Sequence, residues 1–140
     1  MIILDTNVVS EVMRDSPDPR VMLWFGQQST GSLFITATTE AELKKGVAFL
    51  PEGRRRLSLT RAVQDMIVRD FRNRILPFDS SATDAYARIS ANRRLSGRPI
   101  SEADCMIASI AQYRGALLAT RNTADFVGCG VDLIDPWKTS

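Results

Sequence analysis

Apolar residues along this chain fall into short continuous runs that end on polar or acidic positions, and these alternate with longer stretches of helical periodicity. Met1-Ile2-Ile3-Leu4 runs straight into Asp5-Thr6-Asn7, which predicts a buried strand ending on a carboxylate, with a helix beginning near Asn7. Ser32-Leu33-Phe34-Ile35 predicts a second strand, and the threonines that follow can cap a helix over residues 38–50, broken by Pro51-Glu52-Gly53. Over residues 54–72, Leu57, Val63, Met66, Ile67 and Phe71 recur among charged residues as on an amphipathic helix. Residues 74–78 predict a short strand. Ser80 then caps a helix whose buried stripe is Ala82, Ala85, Tyr86 and Ile89, stopped by Ser96-Gly97-Arg98-Pro99. A further helix spans residues 101–114 and ends at Gly115, before the apolar strands of residues 116–119 and 131–134. Strands alternating with helices imply an α/β fold, its parallel sheet covered on both faces through right-handed crossovers.

Three acidic positions break this pattern in an informative way. Asp5 stands where an open α/β sheet binds ligands, beyond the carboxyl end of a strand, although it also suits the N-cap of the helix that follows. Asp104 shares a helical face with Ile107, Ala108 and Ala111, so its charge is either desolvated or directed into a pocket. The other reading of Asp104 is a capping box with Ser101. On the helix of residues 38–50, Glu40 and Glu42 lie on roughly opposite faces. Glu42 is the one expected in a cleft, one turn before Gly46, whose missing side chain would admit a close approach. If the strand of residues 116–119 runs parallel to the first, Asn122 or Asp125 emerges on the same edge as Asp5, or Asp125 organises a turn.

Composition narrows the chemistry. The chain of 140 residues contains no histidine, which removes the usual general base and histidine ligation of zinc and leaves carboxylates for catalysis. Clustered carboxylates repel one another, a conflict that a hard, oxygen-bound cation such as Mg²⁺ or Mn²⁺ relieves. Net charge is only +2, but 15 of the 18 basic residues are arginine, whose planar fork matches phosphate. Lys45, Arg54, Arg55 and Arg98, with neighbouring Lys44, Arg56, Arg93 and Arg94, are candidates to follow an RNA backbone; solvated helix faces are the alternative. Cys105 and Cys129 are expected to be reduced structural thiols. The length suits a single domain over residues 1–140. With no signal-like segment or membrane span, a cytoplasmic location is expected.

Asp5-Thr6-Asn7, Ala41-Glu42-Leu43 with Gly46-Val47, Ala103-Asp104 with Ile107-Ala108, and Ala119-Thr120-Arg121-Asn122 with Asp125-Phe126 follow one another in the order and spacing of a PIN domain. The chain resembles the toxins of VapBC-type toxin–antitoxin pairs, particularly the FitB-like branch, through Arg74-Ile75-Leu76-Pro77-Phe78-Asp79 and Asp135-Pro136-Trp137. The resemblance implies a three-layer α/β/α fold around a mostly parallel sheet. It also implies a Mg²⁺- or Mn²⁺-dependent ribonuclease that forms homodimers, with an antitoxin partner through which alone it meets operator DNA. By position, Asp5, Glu42 and Asp104 match the family's acidic metal ligands, whereas the fourth acidic place holds Asn122, with Asp125 three residues on as a possible substitute. Thr6, Asn7 and Thr120 are expected to position water or phosphate.

Two other readings stay open at this point. Because Asn122 supplies no charge, one alternative is a catalytically weak RNA- or antitoxin-binding regulator. A phosphatase of the haloacid-dehalogenase type also begins with a strand ending in aspartate, but requires a second aspartate where Asn7 stands.

Overall fold

The computed structural model describes residues 1–138. Five strands form one wholly parallel sheet in the order β3-β2-β1-β4-β5. They are β1 (Ile2–Leu4), β2 (Leu33–Thr36), β3 (Ile75–Leu76), β4 (Leu117–Ala119) and β5 (Leu133–Ile134). The helices are α1 (Thr6–Val12), α2 (Pro19–Gln27), α3 (Ala37–Ala48), α4 (Arg54–Asp65), α5 (Thr83–Leu95) and α6 (Glu102–Arg114).

Alternation along the strands sorts the core into two layers. Ile3 and Leu118 face a cluster with Ile89, Ile107 and Ala111 of α5 and α6; Leu4 and Ala119 face the other side, with Val8, Val21, Trp24 and Val63 of α1, α2 and α4. The expected α/β/α layering is therefore present. From β1 the chain builds outward through β2 and β3, and later returns to the other side of β1 with β4. This reversal makes the β1–β4 junction the topological switch point, the place in an open parallel sheet where a crevice opens beyond the strand ends.

Several local expectations need correction. Helix α2 has no counterpart in the sequence reading, although Asp18 caps it and Pro19 occupies its first turn. The helix of residues 54–72 is regular only to Asp65 and continues as a π turn, Met66–Asp70, closed by Phe71 N–H to the Met66 carbonyl at 3.1 Å. That five-residue step lets both Met66 and Phe71 reach the core, whereas Leu57, near the start of α4, is 57% exposed. Asp79 caps a 3-10 turn, Ser80–Ala82, ahead of α5, in place of Ser80. Among the described residues nothing outside its own helix lies within 4 Å of where a Gly46 side chain would begin, so no other backbone approaches Gly46 closely. Both cysteines are free and buried. Among the described residues no helix is long and apolar enough to cross a membrane.

Candidate active site

Pairing of Leu4 with Ala119 sets Asp5 beside Thr120 at the end of the central strands. Asp5 is 5% exposed. Its Oδ1 accepts the Thr6 N–H at 2.8 Å, and its Oδ2 accepts the Thr120 hydroxyl at 2.8 Å and the Asn7 amide at 3.3 Å. Capping and site placement are thus two uses of one carboxylate: Oδ1 starts α1 while Oδ2 faces β4. Burial pushes the Asp5 carboxyl up to about 6, against the lowering bonds from Thr120 and Thr6, and the Asp104 and Glu42 carboxylates add to the rise.

Helix α3, capped by Thr36, settles the choice between its two glutamates. Glu40 turns outward to an ion pair with Lys44 at 2.9 Å, while Glu42 accepts the Thr6 hydroxyl at 2.7 Å through Oε1. Ser101 caps α6 by accepting the Asp104 backbone N–H at 3.2 Å. The Asp104 side chain is half-buried, and its pKa is raised by burial first and then by Asp125 and Glu42, with Ser101 and Arg93 opposing. Cap and cavity are again compatible: the backbone of residue 104 serves Ser101 while its carboxylate lines the crevice.

Asp5, Glu42, Asp104 and Asn122 line a single cavity of about 480 Å³, together with Thr6 and Asn7. Thr120, fully buried, donates to Asp5 and accepts the Asn122 N–H at 3.1 Å. Asp125 lies outside the lining, exposed on the 3-10 turn Thr123–Phe126, yet near enough for its charge to act on Asp104. The same cavity holds residues that the sequence does not single out for the site: Ser10, Glu11 and Arg14, and, from motifs quoted above without a site role, Arg121, with Trp137 in its wall. Glu11 lies one turn beyond Asn7 on α1, and that i, i+4 spacing was its available signal.

The basic residues distribute differently from expectation. Arg55 lines a second, larger cavity of about 950 Å³ that shares Thr6, Ser10, Arg14 and Glu42 with the acidic one, while Arg54 lines a separate hollow along α4. Lys45 is exposed on α3, and Arg98 donates to the Ala124 carbonyl at 3.3 Å. Arg93 is buried and donates to the carbonyls of Arg98 and Asp125, each at 2.6 Å, and of Val127 at 3.2 Å. It anchors the loop after β4 and is removed from the RNA-contact candidates.

The donors gathered around Asp5 are carboxylate and amide oxygens, with neither thiolate nor imidazole among them. Among the described residues no three His, Cys, Asp or Glu side chains form a ready-made metal cage. The donor set suits a hard cation that keeps several waters and takes only one or two carboxylates directly.

Similarity to known proteins agrees with this arrangement. The chain is 39% identical over 138 residues to VapC ribonuclease Y4jK of Sinorhizobium fredii, covering 99% of each. It is 37% identical over 137 residues to Toxin FitB of Neisseria gonorrhoeae, covering 98% of this chain and 99% of that one. The structure of FitAB bound to an IR36 DNA fragment superposes with a TM-score of 0.93 at 36% identity, over 100% of this chain and 98% of the other. The PIN domain family model matches residues 2–127, a span that runs from the first strand past Asp5, Glu42, Asp104 and Asn122. With acidic residues from the end of β1, from α3 and from α6 meeting at the switch point of a parallel sheet, the chain belongs to the PIN domain family.

Proposed function

We propose that this chain is a Mg²⁺- or Mn²⁺-dependent endoribonuclease, the toxin of a VapBC-type toxin–antitoxin pair, with residues 1–140 forming one PIN-like unit. The observation that carries the reading is the shared cavity of Asp5, Glu42 and Asp104 at the β1–β4 crevice. Asp5, Glu42 and Asp104 would hold the cation, with Asn122 adding a neutral oxygen. A divalent ion there supplies Lewis acidity that lowers the pKa of water and neutralises phosphate charge. Thr120 and Asn7 fix the Asp5 carboxylate, and the Thr6 hydroxyl fixes Glu42. The printed names of relatives, a Toxin FitB and a FitAB complex bound to a DNA fragment, support extending the proposal to a cognate antitoxin and to operator DNA contacted through it; the homodimer is carried over from the family resemblance alone. A cytoplasmic location fits these partners.

The test is cleavage of single-stranded and structured RNAs by antitoxin-free protein as Mn²⁺ is titrated, beside Asp5→Asn and Asp104→Asn. Both variants are expected to lose at least about 100-fold in rate, the scale of removing one electrostatic element from an active site. Cleavage that persists equally in both overturns the assignment. Asn122 in place of an acid favours one alternative, a binding regulator, which predicts RNA or antitoxin binding without metal-dependent turnover.

A further inference from the structure

Arginines near the cavity differ in what already engages their guanidinium groups. Arg14 is paired with buried Glu11, Arg20 with Asp18, and Arg93 with backbone carbonyls. Arg121 is different. Among the described residues no hydrogen bond or ion pair engages its guanidinium, whose carbon sits 5.0 Å from the centre of the Trp137 ring. Trp137 is itself 5% exposed, and its backbone N–H donates to Asp135 Oδ1 at 2.9 Å, so the stacking platform is fixed. The other end of Arg121 is also held: its backbone N–H donates to Asn7 Oδ1 at 3.3 Å, and Asn7 in turn donates to Asp5. A guanidinium stacked on an indole keeps its plane while its edge donors remain available, the geometry that forks a phosphate. It also places a cation at the rim of a cavity where the carboxylates of Asp5, Glu42 and Asp104 repel a polyanion, the Glu11 charge being met already by Arg14.

We infer that Arg121, stacked on Trp137, binds a backbone phosphate of the RNA strand that enters the acidic cavity. The inference rests on the ribonuclease reading but is separable from it. Phosphate contact carries no base information, so the contribution is the same for every sequence.

The test measures binding of a labelled single-stranded oligoribonucleotide to the full chain across a range of NaCl concentrations, in an Asp104→Asn background that prevents cleavage. Arg121→Ala is expected to weaken binding about tenfold, and to make the plot of log affinity against log salt shallower by about 0.7, one phosphate contact on a single strand. Arg121→Lys is expected to restore the slope but only part of the affinity, since it keeps the charge without the stacked fork. With Asp104 intact, Arg121→Ala raises KM and leaves kcat within about threefold. An unchanged salt slope in Arg121→Ala that melts at the wild-type temperature overturns the inference. So does a loss confined to antitoxin affinity, which would make the residue a protein contact. Failure of the wild type to cleave any RNA overturns the nuclease reading instead, and the salt slope still decides the role of Arg121. No RNA binding by any variant overturns both.

Discussion

Asp5 and Glu11 stand at opposite ends of α1, line the same cavity and are both about 95% buried, yet they are stabilised in different ways. Glu11 has an arginine, with Arg14 reaching both carboxylate oxygens at 3.3 and 3.2 Å, and it also accepts the Asp18 N–H at 3.0 Å. Among the described residues Asp5 has only neutral donors, Thr6, Asn7 and Thr120. Hydrogen bonds from neutral groups orient a carboxylate without cancelling its charge. Glu11 therefore ties α1 to the start of α2 as a finished structural pair, whereas Asp5 is held in position with its charge still to be met.

The largest test of that contrast is the pH dependence of stability in metal-free protein. The folded-state pKa of Asp5, about 6, lies above its ordinary value of 3.8. For an acid raised in this way the unfolded state gives up its proton first. Its contribution is thus a destabilisation, absent below about pH 4, growing through about pH 6 and constant above, the reverse of an ion-paired aspartate. The shift corresponds to about 3 kcal/mol at neutral pH. Urea unfolding of the wild type is expected to show this fall, and Asp5→Asn is expected to lack it; parallel curves would break the contrast. Added Mn²⁺ is expected to raise the wild-type melting temperature at neutral pH and to leave that of Asp5→Asn unchanged.

Glu11→Gln comes next. Removing its charge leaves the Arg14 pair unmade but retains an acceptor for Asp18, so a loss of about 1–2 kcal/mol is expected in the same unfolding assay. A variant as stable as the wild type would show Glu11 to be as unsettled as Asp5. The smallest effect sharpens the comparison from outside the cavity. Glu40 pairs with Lys44 on the surface of α3, and Glu40→Gln is expected to cost less than about 0.5 kcal/mol and to leave RNA cleavage unaltered.

Much of the candidate site was legible because its acids violate local patterns. Asp5 interrupts an apolar run, Asp104 sits among Ile107 and Ala108, and helical angle alone separates Glu42 from Glu40. Glu11 and Arg121 carry no such mark. An acid on a short helix reads as solvated until the chain that crosses it is known, and here that chain is the start of α2. Arg121 gains its role from a tryptophan 16 positions later, brought beneath it only when β5 pairs with β4. Arg93 shows the opposite failure: a paired-arginine motif suggested a polyanion contact, but two carbonyls of a distant loop and the nearby Arg98 carbonyl occupy the side chain. The α4 stripe failed at Leu57 and the π turn because a fixed angular period cannot show where a helix overhangs its core or changes register.

The hydrogen bond from Thr120 to Asp5 joins residues 115 positions apart. A ribosome makes the first of these 115 residues before the second. Asp5 and Glu42 are made first, and the walls supplied by α6, the loop after β4 and Trp137 follow only from residue 102 onward. The order of synthesis thus acts as a timer. The crevice cannot be assembled around its first acid until these later residues have been made, so a growing polypeptide lacks the complete acidic site until Trp137 has been added.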